Sequence, residues 1–152
     1  MDAIQDFEDF LELLERHGVR YLIIGGLAFI YHAKPRFTKD IDIWLDPEPD
    51  NLARANAALA DFGSPYLLNL SSADEILQLG VAPNRIDLLR EAAPLAFEDA
   101  WKRRVESTYG RARAWWIAIE DLLAIKERID HPRHQEDARV LRLLLERRSR
   151  RE

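Results

Sequence analysis

The stretch that most constrains the fold runs from residue 20 to residue 45. It opens with a short apolar run, residues 20–24 (RYLII), which is rich in strand-forming side chains and ends at two glycines, residues 25–26. Residues 26–33 are compatible with a short helix, and residues 40–45 (DIDIWL) alternate acidic with apolar side chains. Alternation with a period of two predicts a strand, so the stretch predicts strand, short helix and second strand.

The rest of the chain predicts further helices and strands around this stretch. Apolar residues at helical spacing predict an opening helix, and a turn near Tyr109 and Gly110 predicts a hairpin over residues 105–117. The opening helix spans 3–17, and the other predicted helices are 50–61 with Asp50 as N-cap, 95–103, 119–129 and 133–149. The other strand candidates are 66–70, 75–80 and 85–89. The first two also fit a helix, and 75–80 favours a strand. This mixed order predicts an α+β fold, a small β-sheet flanked by helices with further helices at the C-terminus.

Composition and charge narrow the functional classes. A length of 152 residues favours one domain spanning 1–152, and the absence of cysteine excludes disulfides and thiolate chemistry, which fits a cytoplasmic protein. No apolar run approaches the roughly 20 residues that a membrane-spanning helix needs, so no membrane partner is expected. The net charge of −5 argues against a generally basic nucleic-acid-binding surface and leaves local arginine clusters at 101–104 and 139–151.

Two carboxylates stand in the second strand. Asp40 and Asp42 are two residues apart, so in a strand they leave the same face while Ile41 and Ile43 face the other way. Like charges this close repel, and a Mg²⁺ ion, which accepts one or two carboxylates together with phosphate oxygens, would offset that repulsion. Asp87, in the apolar stretch RIDLL, is the predicted third ligand of this ion. Taken alone, the pair is typical of a solvated strand face.

The glycine pair has its own chemistry. Gly25 and Gly26 lie where a strand passes into a helix, and glycine lets the backbone approach a ligand closely. The free N–H groups at a helix N-terminus bind phosphate. A bare glycine pair is more typical of a tight strand–helix turn, but beside the carboxylates it predicts a phosphate-binding loop that faces a metal site.

These motifs resemble a known family. Two glycines, 13 residues, DID and a later aspartate after RI resemble the polymerase-beta-type nucleotidyltransferase superfamily. Residues 25–44 resemble more closely its small bacterial branch, which includes the toxins of abortive-infection toxin–antitoxin systems and uncharacterised relatives, and the resemblance covers roughly residues 20–145. It implies a mixed sheet flanked by helices. It also implies transfer of a nucleoside monophosphate from an NTP to an acceptor hydroxyl, with release of pyrophosphate.

The resemblance also implies roles for single residues. Gly25 and Gly26 would hold the triphosphate, and Asp40, Asp42 and Asp87 would bind Mg²⁺ or Mn²⁺, with Asp87 helping to deprotonate the acceptor. Further nucleotide contacts are implied at Arg36, Thr38 and Lys126, and an acidic helix position is matched by Asp137. Each has a structural alternative: a salt bridge for Arg36, strand propensity for Thr38, a solvated helix position for Lys126 and pairing with an arginine for Asp137.

One position departs from the family pattern and bears on the partners. Some toxin relatives carry RDxxD where this chain reads RHQED, with His134 in place of the first acid, which weighs against toxin-type activity more than against nucleotide binding. The acceptor is left open between RNA such as a tRNA 3′ end, a protein hydroxyl and a small molecule such as an antibiotic. The alternative function is a non-catalytic nucleotide-binding module, or a toxin–antitoxin interaction module whose partner is a cognate antitoxin protein.

Overall fold

One mixed sheet with helices packed on it makes up the described part of the chain, residues 3–38, 40–71, 76–81 and 84–151 of a computed structural model. Within these residues the strands are β1 (Tyr21–Ile24), β2 (Asp40–Leu45), β3 (Leu77–Leu79), β4 (Arg85–Leu89), β5 (Val105–Tyr109) and β6 (Ala112–Trp116). The helices are α1 (Gln5–Arg16), α2 (Gly25–His32), α3 (Pro49–Phe62), α4 (Phe97–Lys102), α5 (Ile119–Glu127) and α6 (Pro132–Arg151).

The strand order is β3-β4-β2-β1-β6-β5. Strand β2 pairs antiparallel with β1 and parallel with β4, whereas β6 pairs parallel with β1 and antiparallel with β5. The sheet is therefore mixed, and the predicted α+β fold with a small sheet flanked by helices is confirmed. None of the helices in the described part combines the length and apolar character that crossing a membrane requires.

The alternation predicted for β2 is confirmed. Ile41 and Ile43 are fully buried in the core, whereas Asp40 and Asp42 are partly exposed on the opposite face. Trp44, further along the same face as Asp42, is buried against the ring of Phe97 in α4. On this face, the two carboxylates thus lie at the start of β2, and the apolar packing begins after them, at Trp44.

The sequence interpretation was wrong about the start of α3. Asp50 was expected to be the N-cap, but Glu48 holds that position and Pro49 is the first helical residue. A proline suits this position because its fixed φ fits the helix and its missing N–H would have no helical partner there. Residues 66–70 form no strand, and in the candidate strand 75–80 only Leu77–Leu79 pairs with β4, while residue 75 lies outside the described residues.

Part of the predicted arginine cluster at 101–104 is used in packing. The guanidinium carbon of Arg104 lies 4.0 Å from the ring centre of Trp101 and 4.6 Å from that of Trp115. Arg103 pairs with the buried carboxylate of Asp121 at 2.9 Å. These two arginines therefore stabilise the joint between α4, β6 and α5 through cation–π and charged contacts.

Candidate active site

Three carboxylates converge where β2 and β4 run side by side. In the parallel register Asp42 lies opposite Asp87, and Asp40 lies opposite Arg85. Asp40, Asp42 and Asp87 each offer one oxygen, and these oxygens lie within 4.8 Å of one another. We call these three residues the carboxylate triad. An all-oxygen donor set of this size fits a hard divalent cation such as Mg²⁺.

The surroundings of Asp42 oppose a negative charge on its carboxylate. Burial, together with the negative charges of Asp40 and Asp87, raises the pKa of Asp42 to about 7. A carboxylate that holds its proton near neutral pH lacks a compensating positive charge. A bound cation would supply that charge, so the arrangement fits a metal site on electrostatic grounds as well as on geometry.

The raised pKa predicts how stability depends on pH without divalent cations. The pKa of Asp42 is about 7 in the folded protein, against about 3.9 in an unfolded chain. Between these two pKa values the folded protein binds more protons than the unfolded chain does. The contribution of Asp42 to the free energy of unfolding therefore falls as pH rises through this range, and it is constant below and above it.

Urea unfolding in EDTA at pH 4 to 8 measures this effect as the difference between wild type and Asp42→Asn. We expect wild type to lose stability relative to the variant from about pH 4 to about pH 7. A difference that stays flat across that range would show that the Asp42 carboxylate titrates normally.

The glycine turn lies against the triad. Gly25 begins α2 with a φ of +71°, a conformation that favours glycine, and a Cβ at this position would overlap Oδ2 of Asp42. At Gly26 a Cβ would lie 3.0 Å from Oγ1 of Thr38 and 3.1 Å from Nη2 of Arg36. The two glycines therefore let β2 on one side, and Thr38 with Arg36 on the other, approach the N-terminus of α2.

A buried charged group lies between α5, α6 and the chain after α2. Nζ of Lys126 lies 3.1 Å from Oδ2 of Asp137 and 3.0 Å from Nδ1 of His134, and Nη2 of Arg36 donates to the same Asp137 oxygen at 2.9 Å. We call these four residues the Lys126 cluster. Lys126 is 1% exposed and Asp137 is 4% exposed.

The structure thus brings together three residues that the sequence had considered separately. The salt-bridge alternative for Arg36 and the arginine pairing of Asp137 are both seen, as a single contact. The alternative for Lys126, a solvated helix position, is wrong, because the side chain is buried. Their contacts to a nucleotide stay a prediction.

Sequence reasoning missed the contact that His134 makes. Burial lowers the pKa of His134, and the charge of Lys126, whose Nζ lies 3.0 Å from Nδ1, lowers it too. Burial likewise lowers the pKa of Lys126, although its bond to Asp137 opposes that shift. The sequence spacing between Lys126 in α5 and His134 in α6 did not predict this contact, because the contact depends on how the two helices pack.

The buried pair predicts a large effect of Asp137→Asn on stability. The substitution keeps the shape of the side chain but leaves Lys126 and Arg36 without their shared anion. Removing one partner of a buried ion pair costs about 3 kcal/mol of unfolding free energy, which urea unfolding measures. Glu136→Gln is the matched control: Glu136 is 56% exposed and pairs with Arg139, so it should cost well under about 1 kcal/mol. Equal losses would show that the Lys126 cluster does not stabilise the fold.

Arg85 is a second functional candidate that sequence reasoning missed. Its Nη2 donates to Asp40 at 2.7 Å, and its Nε donates to Asp87 at 3.0 Å. The signal was available in the sequence, because Arg85 precedes Asp87 by two positions and so shares its strand face. Its pairing with Asp40 depends on the register between β4 and β2.

A cleft of about 430 Å³ opens beside the triad. Its lining includes Ile24, Asp42, Glu91, Leu122, Lys126 and His134. Asp42 therefore borders the same space as Lys126 and His134 of the Lys126 cluster, and apolar side chains of β1 and α5 line its walls. A volume of this order accommodates a small organic ligand.

Comparison with known proteins gives a fold relative. No protein-family model matches the chain, and no curated protein matches it. Among solved structures, the chain resembles the crystal structure of the lincosamide antibiotic adenylyltransferase LnuA with lincomycin bound. The TM-score is 0.62 at 19% identity, and the match covers 93% of this chain and 98% of that one. At this identity the likeness shows a shared fold, that of a nucleotidyltransferase.

Proposed function

We propose that the protein is a divalent-cation-dependent nucleotidyltransferase that moves a nucleoside monophosphate from an NTP to a hydroxyl group of a small molecule. The observation that carries this proposal is the carboxylate triad, which lies against the glycine-led N-terminus of α2 at the edge of a cleft. The fold shared with an adenylyltransferase supports the same reaction class.

The triad would hold the cation, Mg²⁺ or Mn²⁺. When bound, the cation supplies positive charge that offsets the charge on the reacting phosphates and oxygens. Asp40 and Asp42 contribute ligand oxygens from one strand and Asp87 contributes one from the next, so the backbone of the sheet sets their spacing. Rigid strands of this kind position reacting groups without further loss of entropy during the reaction.

The reaction balances as a single displacement. The acceptor oxygen forms a bond to the α-phosphorus of the NTP, and the bond from that phosphorus to the α,β-bridging oxygen breaks. The electron pair leaves with pyrophosphate, and the hydroxyl proton passes to a carboxylate, for which we propose Asp87. Asp87 is suited to this because it lies beside the other two ligands and is 6% exposed, so its carboxylate is held in one place.

The phosphate side of the site is formed by α2 and the Lys126 cluster. The first N–H groups of α2 have no partner within the helix and would donate to triphosphate oxygens. Lys126 carries three donors, of which two are directed at Asp137 and His134, which leaves one for a phosphate oxygen. Arg36 and Thr38 lie over the same helix N-terminus and would contact the phosphates from its other side.

A small-molecule acceptor is favoured by the size and lining of the cleft. About 430 Å³ between the triad and the apolar side chains of α5 suits a compact ligand with both polar and apolar groups. LnuA, which shares the fold, is an adenylyltransferase of lincosamide antibiotics. ATP is accordingly the first donor to test, and hydroxylated antibiotics are the first acceptors.

The test is a labelling experiment with the purified protein. We would incubate it with Mg²⁺, each α-³²P-labelled NTP in turn, and either lincomycin, other hydroxylated antibiotics, total tRNA or a cell lysate. The proposal predicts a labelled small molecule together with pyrophosphate, and no label with the Asp40→Asn/Asp42→Asn double variant. Label in tRNA or protein alone would overturn the acceptor assignment. No label in any fraction, together with no NTP binding, would overturn the reaction class.

A further inference from the structure

Arg85 clamps two members of the carboxylate triad. Its Nη2 donates to Oδ2 of Asp40 at 2.7 Å and to Oδ2 of Asp87 at 3.1 Å, while its Nε donates to Oδ1 of Asp87 at 3.0 Å. Both oxygens of Asp87 therefore accept from one guanidinium group. A divalent cation in the triad would need oxygens from this same set.

The sheet register determines this geometry. Arg85 lies opposite Asp40 in the pairing of β4 with β2, and Asp87 lies two residues further along the same strand face. The planar guanidinium fork matches carboxylate geometry better than any other cationic side chain. Charge-assisted contacts of this kind are among the stronger hydrogen bonds in proteins.

The side chain of Arg85 is partly exposed and is not enclosed by packing. Its side chain is 34% exposed, against 2% for Lys126, which lies in the same region and is held by packing. The guanidinium group can therefore leave one or both carboxylates for solvent or for an anionic ligand without unpacking the core. A cation and a guanidinium group that share a carboxylate oxygen repel each other, so occupancy by one disfavours the other.

We infer that Arg85 is a built-in competitor of the divalent cation. It neutralises Asp40 and Asp87 while the cation is not bound, and cation binding requires its guanidinium group to release at least one of them. The inference rests on the proposed cation site at the triad and adds to it a positioning residue that sets the cation affinity. The displaced guanidinium group is then available to an anionic ligand in the same place, such as a polyphosphate.

Mn²⁺ binding tests this inference directly, with the electron paramagnetic resonance signal of free Mn²⁺ as the readout. We expect Arg85→Met to bind Mn²⁺ about tenfold more tightly than wild type, because one charge-assisted competitor is removed. Arg85→Lys keeps the charge but loses the fork, so its affinity should fall between the two. Arg128→Met is the charge control: Arg128 lines the cleft but, within the described residues, pairs with none of the three aspartates. It should change the affinity less than about twofold.

A second measurement follows the side chain itself in the wild-type protein, so it does not depend on whether a variant folds. The ¹⁵N-detected Nε–H signal of Arg85, assigned by its loss in Arg85→Lys, should shift when Mg²⁺ is added. A signal that stays unchanged while Mg²⁺ saturates the site would overturn the inference, as would an Arg85→Met variant that binds Mn²⁺ no more tightly than wild type or Arg128→Met.

Failure of the inference is distinguishable from failure of the proposed function. If Asp42→Asn leaves Mn²⁺ affinity unchanged, the triad is not the cation site and both proposals are wrong. If Asp42→Asn abolishes Mn²⁺ binding but Arg85→Met does not strengthen it, the cation site stands and only the competitor role of Arg85 is overturned.

Discussion

Replacing Asp40 and Asp42 together by asparagine is expected to abolish the stabilisation of the fold by Mg²⁺ and ATP, and to lower nucleotidyl transfer at least about 1,000-fold. A ligand at 100 times its Kd adds about 2.7 kcal/mol to the unfolding free energy, which for a chain of this size raises the Tm by roughly 5–10 °C. The double variant removes two of the three charged oxygen donors and should show no such shift. Thermal unfolding with and without Mg²⁺ and ATP measures it.

The unliganded double variant should remain folded, because it removes both the burial of a charged Asp42 carboxylate and its repulsion by Asp40, two causes that raise the pKa of Asp42. Asp61→Asn is a suitable control: this aspartate is 54% exposed and pairs only with His17 among the described residues, so its variant should keep the full ligand-induced shift. A double variant that retains the wild-type shift would show that nucleotide and cation bind elsewhere.

Gly25→Ala is expected to be the most damaging single substitution in the glycine turn. Gly25 has a φ of +71°, and an added Cβ would overlap Oδ2 of Asp42, so the carboxylate must move. Misplacing a reacting or metal-binding group by about 1 Å costs on the order of 100-fold in rate. We therefore expect a loss of at least about 100-fold in transfer together with weaker Mn²⁺ binding.

Gly18→Ala separates the backbone effect from the effect on the site. Gly18 has a similar φ of +67°, but a Cβ there would meet nothing within 4 Å. Both alanine variants should lose about 1–2 kcal/mol of stability from the left-handed conformation, which urea unfolding measures, but only Gly25→Ala should lose cation affinity. Equal cation affinities in the two variants would show that cation binding does not require the close contact between Gly25 and Asp42.

The predicted elements of the site followed from local patterns. The alternation in residues 40–45 predicted that Asp40 and Asp42 share a face opposite Ile41 and Ile43, and the structure has that arrangement. The pattern worked because side-chain direction in a strand depends only on position along the strand. The start of α3 was less predictable, because Pro49 both breaks strands and opens helices, and only the packed helix distinguishes the two uses.

The partners of the charged residues were not predictable in the same way. The sequence left Lys126 open between a phosphate contact and a solvated position, but packing of α5 against α6 buries it between Asp137 and His134. Arg85 was not considered, although its spacing from Asp87 was a local signal, and its pairing with Asp40 on the neighbouring strand was not predictable. Such contacts depend on which elements become neighbours, and a local pattern does not contain that information.

By itself, the sequence determined most of the helices and strands, the face on which Asp40 and Asp42 lie, and the glycines where β1 passes into α2. Each of these follows from backbone geometry over a few residues. Only the tertiary structure decided that β4 lies beside β2 with Asp87 opposite Asp42, that Gly25 lies against the Asp42 carboxylate, and that Arg85 bridges Asp40 and Asp87. The physical reason is that strand pairing and charge compensation join residues far apart in the chain, and the free energy that selects them comes from the whole sheet and its core.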